Sequence, residues 1–245
     1  RFKILFKFIM SYNFSIFIFR RDLRLEDNTG LIEALKQSNK VLPIFIFTPE
    51  QITTKNEYKS DNSVQFLMES LEDLNQDLKS YKSKLLYFYG DVITVLKSLS
   101  QEVDIDAIFV NQDYTPYSKD RDSKIENFCN QNSVIFHSYD DICLLPIDSV
   151  KTGNGETYKV FTPFHRTAEK IKVRKVTKNN YKNYFNTRKK LKHACNPNKD
   201  IKYQKNDNIR VRGGRENALE ILKSINKFQN YNEDRNYPAL NTTTL

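Results

Sequence analysis

The sequence predicts a doubly wound α/β fold: a five-stranded, Rossmann-like parallel sheet followed by a basic linker and a helix. Three observations carry this reading. Short apolar runs rich in Ile, Val, Phe and Tyr recur five times between residues 14 and 136. Amphipathic helical patterns fall between them, and helical crossovers are what parallel strands require. The first run is apolar on both faces, as a strand covered on both sides must be.

The first strand is Phe14–Phe19, with five of six residues apolar. It stops at the charge cluster Arg20-Arg21-Asp22-Leu23-Arg24, with Glu26 and Asp27 following. Asp27 or Asn28 can cap a helix that begins near Gly30 and shows Leu31, Ile32 and Leu35 on one side. The second strand is Val41–Phe47. Phe66, Leu67, Leu71, Leu74 and Leu78 then predict a helix face, opposite Glu69, Glu72, Asp73 and Asp77. Leu85–Tyr89 is the third strand, and Val92, Val95, Leu96 and Leu99 mark the next helix. Ala107–Val110 is the fourth. After the charged Lys119-Asp120-Arg121-Asp122, Ile125 and Phe128 mark another helix, and Ser133–Phe136 is the fifth strand.

These elements place an α/β domain at 14–146, behind an extension at 1–13. Residues 147–212 read as a connector and basic linker. Asn154-Gly155 signals a turn there, Thr162-Pro163-Phe164 opens a helix, and 175–212 is polar and weakly patterned. Residues 213–245 hold Gly213-Gly214-Arg215 and a last helix with Ala218, Leu219, Leu222 and Ile225 on its apolar face.

Composition narrows the function classes. With 245 residues and 39% hydrophobic content, the chain can bury a sizeable core. Cys129, Cys143 and Cys195 form no CxxC pair, and His137, His165 and His193 are scattered, so no metal site is expected. A reducing cytoplasm or nucleus is the expected compartment. No apolar stretch reaches transmembrane length. The first ten residues resemble a signal peptide, but Lys7 interrupts them and no small-residue cleavage site follows; Met10 is the expected true start.

The net charge of +9 is uneven. Residues 166–215 hold 17 Lys/Arg against 3 acidic residues, a balance of +14. The remainder holds 22 against 27, or −5. Runs such as Arg188 to His193 could contact DNA phosphates, with Tyr181, Tyr184, Phe185 and Tyr203 interleaved; a solvated linker is the alternative.

Motifs exclude more than they assign. No GxGxxG, GxxxxGK[ST] or GxSxG is present. Asp140 and Asp141 are adjacent and point apart on an extended chain, which suits a buried helix cap better than an acid/base pair. No catalytic residue emerges. From the residues alone, the reading stops at an α/β domain with a basic extension.

Six segments in order go further. Phe19-Arg20-Arg21-Asp22-Leu23-Arg24-Leu25-Glu26-Asp27-Asn28 resembles the opening signature of the photolyase/cryptochrome family. Val41–Phe47 and Phe66–Leu71 resemble its second strand and the helix after it. Asn111-Gln112-Asp113-Tyr114-Thr115-Pro116-Tyr117, with Arg121-Asp122, resembles the loop after its fourth strand. Tyr158-Lys159-Val160-Phe161-Thr162-Pro163-Phe164 is similar to its Y-x-V-F-T-P-F segment. Gly214-Arg215 with Ala218-Leu219, then Tyr231, Arg235 and Pro238, resemble the lead-in to its flavin domain.

The resemblance implies an N-terminal domain that holds an antenna chromophore, a folate or deazaflavin. A helical domain would hold FAD for light-dependent repair of pyrimidine dimers, or for blue-light sensing. It places the antenna at the strand ends, near Arg20, Phe47, Thr48 and Asn111. Arg21, Asp22 and Arg24 are expected to face the helical domain. Tyr231, with Thr243, Thr244 and Leu245, matches only part of an FAD-contacting motif. No catalysis is therefore expected from the chain by itself, and a separate or downstream FAD-binding domain is the expected partner. The competing reading is a non-catalytic α/β module whose basic segment binds nucleic acid or an acidic partner.

Overall fold

A computed structural model describes residues 12–240. Its centre is a five-stranded, all-parallel sheet in the order β3-β2-β1-β4-β5. The strands are β1 (Tyr12–Phe19), β2 (Ser38–Phe47), β3 (Leu86–Tyr89), β4 (Ala107–Asn111) and β5 (Ile135–Tyr139). Between them lie α1 (Thr29–Gln37), the single turn α2 (Pro49–Ile52), α3 (Asp61–Ser80), α4 (Val92–Ser100) and α5 (Pro116–Gln131). Beyond the sheet follow α6 (Phe161–Ala168), α7 (Pro197–Asp200), α8 (Arg215–Lys223) and α9 (Tyr231–Asp234).

Alternation along the strands builds two cores. Phe17, Phe19, Phe45 and Phe47 pack on one side with Leu31 and Leu35 of α1 and with Leu71, Leu74 and Leu78 of α3. Ile16, Ile18, Ile44 and Ile46 pack on the other side with Val95, Leu96 and Leu99 of α4 and with Ile125 and Phe128 of α5. Each such side chain contributes about 1.5–3 kcal/mol when buried. Asn28 is the N-cap of α1, its side chain accepting the Leu31 N–H at 3.0 Å.

Two elements differ from the sequence expectation. The fifth strand runs Ile135–Tyr139, because Ser133 sits at φ 57 and the Val134 N–H still donates to the Cys129 carbonyl at the end of α5. The buried stripe of α3 is Val64, Met68, Leu71, Leu74 and Leu78, and Phe66 points outward at 43% exposure. The helical period explains this: Phe66 lies two residues, about 200°, from Val64.

The connector is not a free linker. Val41 exchanges backbone hydrogen bonds with the strap around Tyr184, donating to Asn183 at 3.0 Å and accepting from Phe185 at 2.7 Å. Further on, Cys195 donates to Tyr87 and Tyr89 donates to His193, forming an antiparallel bridge at Phe88. The strap thus covers the outer edge of the sheet, which would otherwise present unpaired N–H and C=O groups. Tyr184, Leu191 and Ile201 are buried by it.

Residues 212–215 then pin α8 to α3. The N–H groups of Gly213, Gly214 and Arg215 donate to Glu69, Ser70 and Asp73 at 2.9, 3.0 and 2.8 Å. A Cβ on Gly213 would lie 2.1 Å from the Phe66 carbonyl oxygen. Gly213→Ala is therefore expected to release α8 locally. Hydrogen exchange should quicken in residues 213–223 while sheet amides stay protected. Unchanged exchange in α8 would contradict this docking.

Candidate functional site

In open α/β sheets, ligands bind beyond the carboxyl ends of the strands where the strand order reverses. Here the order reverses between β1 and β4. That point is closed by a buried polar knot. Asn111, at the end of β4, donates through Nδ2 to Asp22 Oδ2 at 2.5 Å and to Asn28 Oδ1 at 2.8 Å. Its Oδ1 accepts the Gly30 N–H at 2.9 Å. Gly30 is required there, since a Cβ would stand 2.6 Å from Asn111 Oδ1. Burial pushes the Asp22 carboxyl up, against the pull of the Arg20 backbone N–H and the Asn111 amide.

The open space is shifted toward β2. A cavity of about 560 Å³ lies beyond the ends of β1 and β2, between α2–α3 on one side and α4–α5 on the other. Phe19, Phe45, Phe47 and Ile52 supply apolar wall. Arg20, Arg21, Thr48, Gln51, Asp113 and Arg121 supply the polar groups. The local sequence explains the opening: Thr48 and Pro49 start α2 as soon as β2 ends, so the chain leaves the sheet sideways. The sequence reading does not include this one-turn helix, although Pro after Thr is a helix-start signal.

The arginines are ordered. Arg20 Nη2 lies 2.6 Å from Asp122 Oδ1, and its Nη1 donates to Asp122 Oδ2 at 2.9 Å and to the Asn111 carbonyl at 3.1 Å. Burial, with Arg121 close by, lowers the pKa of this guanidinium against the pull of Asp122. Arg121 Nε donates to the same Asp122 Oδ1 at 3.1 Å, and its Cζ lies 5.9 Å from the Tyr117 ring centroid. Arg121 Nη2 is buried without a hydrogen-bond partner.

Of the expected antenna residues, Arg20, Phe47 and Thr48 meet at this cavity; Asn111 does not line it and is occupied in the knot. Arg21 joins them, 62% exposed and 3.5 Å from Asp113. Asp22 and Arg24, expected at an inter-domain surface, both make contacts within this domain. Asp22 is only 3% exposed, and Arg24 pairs with the buried Asp141 at 2.7 Å. Asp141 also accepts from the Thr29 N–H at 2.9 Å and from Arg174 at 3.3 Å, so it caps α1 and clasps the connector. Tyr231 is 48% exposed on α9; Thr243, Thr244 and Leu245 lie outside the described residues.

Asp27 completes the clasp, bonded by Arg174 at 2.5 Å and by the Thr177 N–H at 2.8 Å. Burial raises its pKa, but these donors outweigh it and hold the carboxyl below its usual value. A depressed carboxyl stabilises the fold above its unfolded pKa of about 3.9, and that gain disappears as pH falls through the folded value. Asp27→Asn should therefore lower the melting temperature near pH 7 and differ little from the native chain near pH 2. An equal gap at both pH values would contradict the ion pair.

Among the described residues, no group of three or more His, Cys, Asp or Glu side chains is placed to hold a metal, and no helix is long and apolar enough to cross a membrane. The basic segment spends several cations internally: Arg174 on Asp27 and Asp141, Lys189 on Glu102, Arg212 on Glu69.

Comparison with known proteins matches residues 15–181 to the DNA photolyase family. The chain belongs to that family. Its sheet and flanking helices are those of the photolyase/cryptochrome N-terminal α/β domain. A deoxyribodipyrimidine photo-lyase of Vibrio cholerae is 33% identical over 153 residues, covering 60% of this chain and 32% of the relative. Cryptochrome-1 of Anopheles gambiae is 35% identical over 160 residues, covering 60% and 29%. The chain thus spans about a third of the length of these two relatives. An archaeal photolyase from Sulfolobus tokodaii, solved with two FAD molecules, superposes with TM-score 0.75 at 37% identity, over 85% of this chain and 46% of that one. A class III photolyase from Agrobacterium tumefaciens shares the fold at TM-score 0.74 and 22% identity.

Proposed function

We propose that this photolyase-family domain holds a planar light-harvesting chromophore in the cavity beyond β1 and β2. Excitation would pass to an FAD held by a helical domain, in this polypeptide or another. The observation that carries the proposal is the cavity itself: about 560 Å³, within the range of small-molecule sites, with phenylalanines for wall and a few fixed polar groups at its edge. A folate, deazaflavin or flavin presents the matching chemistry, an aromatic ring with carbonyl acceptors along one side. The Sulfolobus tokodaii photolyase, solved with two FAD molecules and the implication of a novel light-harvesting cofactor, supports this class of ligand.

The bound chromophore supplies absorption and non-contact energy transfer. The chain's own residues do the rest. Phe19, Phe45 and Phe47 form the packed floor that excludes water, and Ile52 and the half-buried Leu67 offer apolar surface to a ring. Arg20, fixed by Asp122, cannot swing away, so its charge stays at the cavity edge. Thr48 donates its hydroxyl to Gln51 Oε1 at 3.0 Å, which orients the Gln51 amide so that its Nε2 can donate to a ring carbonyl.

The partner of this reading is a helical FAD-binding domain. Val160 and Phe161 are 61% and 72% exposed, and Leu222 and Ile225 are 58% and 57% exposed, which leaves apolar surface for such a domain to cover. Light-dependent repair of DNA, or blue-light sensing, would belong to that assembly. The test is the absorption spectrum of the chain after native purification. A near-ultraviolet or violet band that co-elutes with protein is expected. A bare protein spectrum that stays bare after incubation with a folate, a deazaflavin and a flavin would overturn the proposal.

A further inference from the structure

We infer that the ligand of this cavity carries an anionic group, and that Arg121 is the residue that selects it. The inference rests on the cavity being a chromophore site and adds what the ring alone does not specify. The charged side chains lining the cavity are Arg20, Arg21, Arg121 and Asp113. Asp113 is engaged by Arg21 at 3.5 Å and by the Ser118 hydroxyl at 3.2 Å. Asp122 stands behind the wall, and its Oδ1 is shared between Arg20 Nη2 at 2.6 Å and Arg121 Nε at 3.1 Å. Asp22 forms no ion pair with either guanidinium among the described residues; its oxygens accept from the Arg20 backbone N–H and from the amides of Asn28 and Asn111.

One carboxylate therefore serves two guanidinium groups. Arg20 Nη2 is also without a well-angled hydrogen bond, but it keeps its ion-pair contact with Asp122. The shortfall falls on Arg121, whose Nη2 is buried with no partner. A buried charged donor left unsatisfied is rare in native proteins, and a bound ligand is one of the few explanations for it. Arg121 also borders the smaller pocket of about 170 Å³ beside the cavity, which carries Glu50, Asp91 and Asp120 against Lys124. That acidic side pocket repels an anion, so the anionic group belongs in the main cavity. A planar fork of donors with one arm free suits a phosphate or carboxylate oxygen.

Riboflavin and FMN share one ring and differ by a phosphate, which makes them a matched pair of probes. In fluorescence titrations of the full chain, FMN is expected to bind at least tenfold more tightly than riboflavin. Inorganic phosphate should weaken FMN binding and leave riboflavin binding unaffected. The FMN-to-riboflavin ratio should fall to about two or less in Arg121→Gln and recover in part in Arg121→Lys. Equal affinities for the two flavins in the native chain would overturn the inference while leaving the chromophore reading intact. A preference that survives Arg121→Gln would overturn the role of Arg121. If neither flavin binds while a folate or deazaflavin does, the phosphate comparison is replaced by carboxylate-bearing and carboxylate-free forms of that ligand, with the same ratios expected. If no chromophore binds, both readings fall. The phosphate competition uses the native chain, so it tests the anionic group even if Arg121→Gln does not fold, and Arg121→Lys then tests the residue.

Discussion

Replacing Asn111 with alanine is expected to destabilise the fold by about 3 kcal/mol and to lower its melting temperature by roughly 6–12 °C. The reason is local. Truncation strands the buried Gly30 N–H and takes the shortest donor from Asp22 Oδ2 and a second donor from Asn28 Oδ1, which keep only the Asn28 amide at 3.4 Å and the Leu31 N–H at 3.0 Å. Each unsatisfied buried polar group costs about 1–3 kcal/mol, partly recovered if water enters the vacated space. The knot also joins the end of β4 to the start of α1, so its loss loosens both at the point where the strand order reverses. Asn111→Asp is a sharper control. It keeps an acceptor for Gly30 but sets a second carboxyl against Asp22, and should be no more stable than the alanine variant near pH 7. Thermal melts measure both. A change below about 1 kcal/mol for Asn111→Ala would mean that the knot is not structural.

Ser63→Trp is expected to block the cavity and to weaken chromophore binding at least tenfold, with little change in stability. Ser63 sits in the first turn of α3, is exposed, and lines the cavity. An indole there can fill the opening without displacing core, and substitutions at exposed sites away from special features change stability by about 0.5 kcal/mol or less. The chain contains no Trp, so the new side chain is also the sole indole fluorophore, and its quenching reports on any ligand that still enters. Undiminished binding with a quenched indole would place the ligand beside the substituted position but not behind it. Undiminished binding without quenching would place it elsewhere.

The fold is legible in the sequence because its signals are local. Five apolar strands and four helices of strong period stand between Phe14 and Phe136, and each is visible as a run or a stripe. Phe66 is the exception: it lies two residues out of phase with the buried stripe of α3, and an aromatic on an outer helix face invites that misplacement. The strap is not legible. It is held to β2 and β3 by backbone hydrogen bonds, and Tyr184, Leu191 and Ile201 enter the core singly, without a period of two or 3.6. Among lysines and asparagines such residues look like scatter.

The site is legible as an edge but not as a cavity. Arg20, Phe47 and Thr48 can be placed because they end strands. The burial of Asp22 and the service of Asn111 to Gly30 are contacts across more than 80 residues, which no spacing rule reveals. Arg121 is visible only as half of an Arg-Asp pair; its free arm depends on Arg20 reaching the same carboxylate from β1.

The most direct test of the central claim is a crystal structure of the chain with a chromophore bound in solution before crystallisation. The ring is predicted to lie in the cavity against Ile52 and Leu67, with Arg20 and Arg121 at its polar edge. A ring bound instead on the exposed surface of α6, or a cavity left without ligand when binding is stoichiometric, would contradict the account.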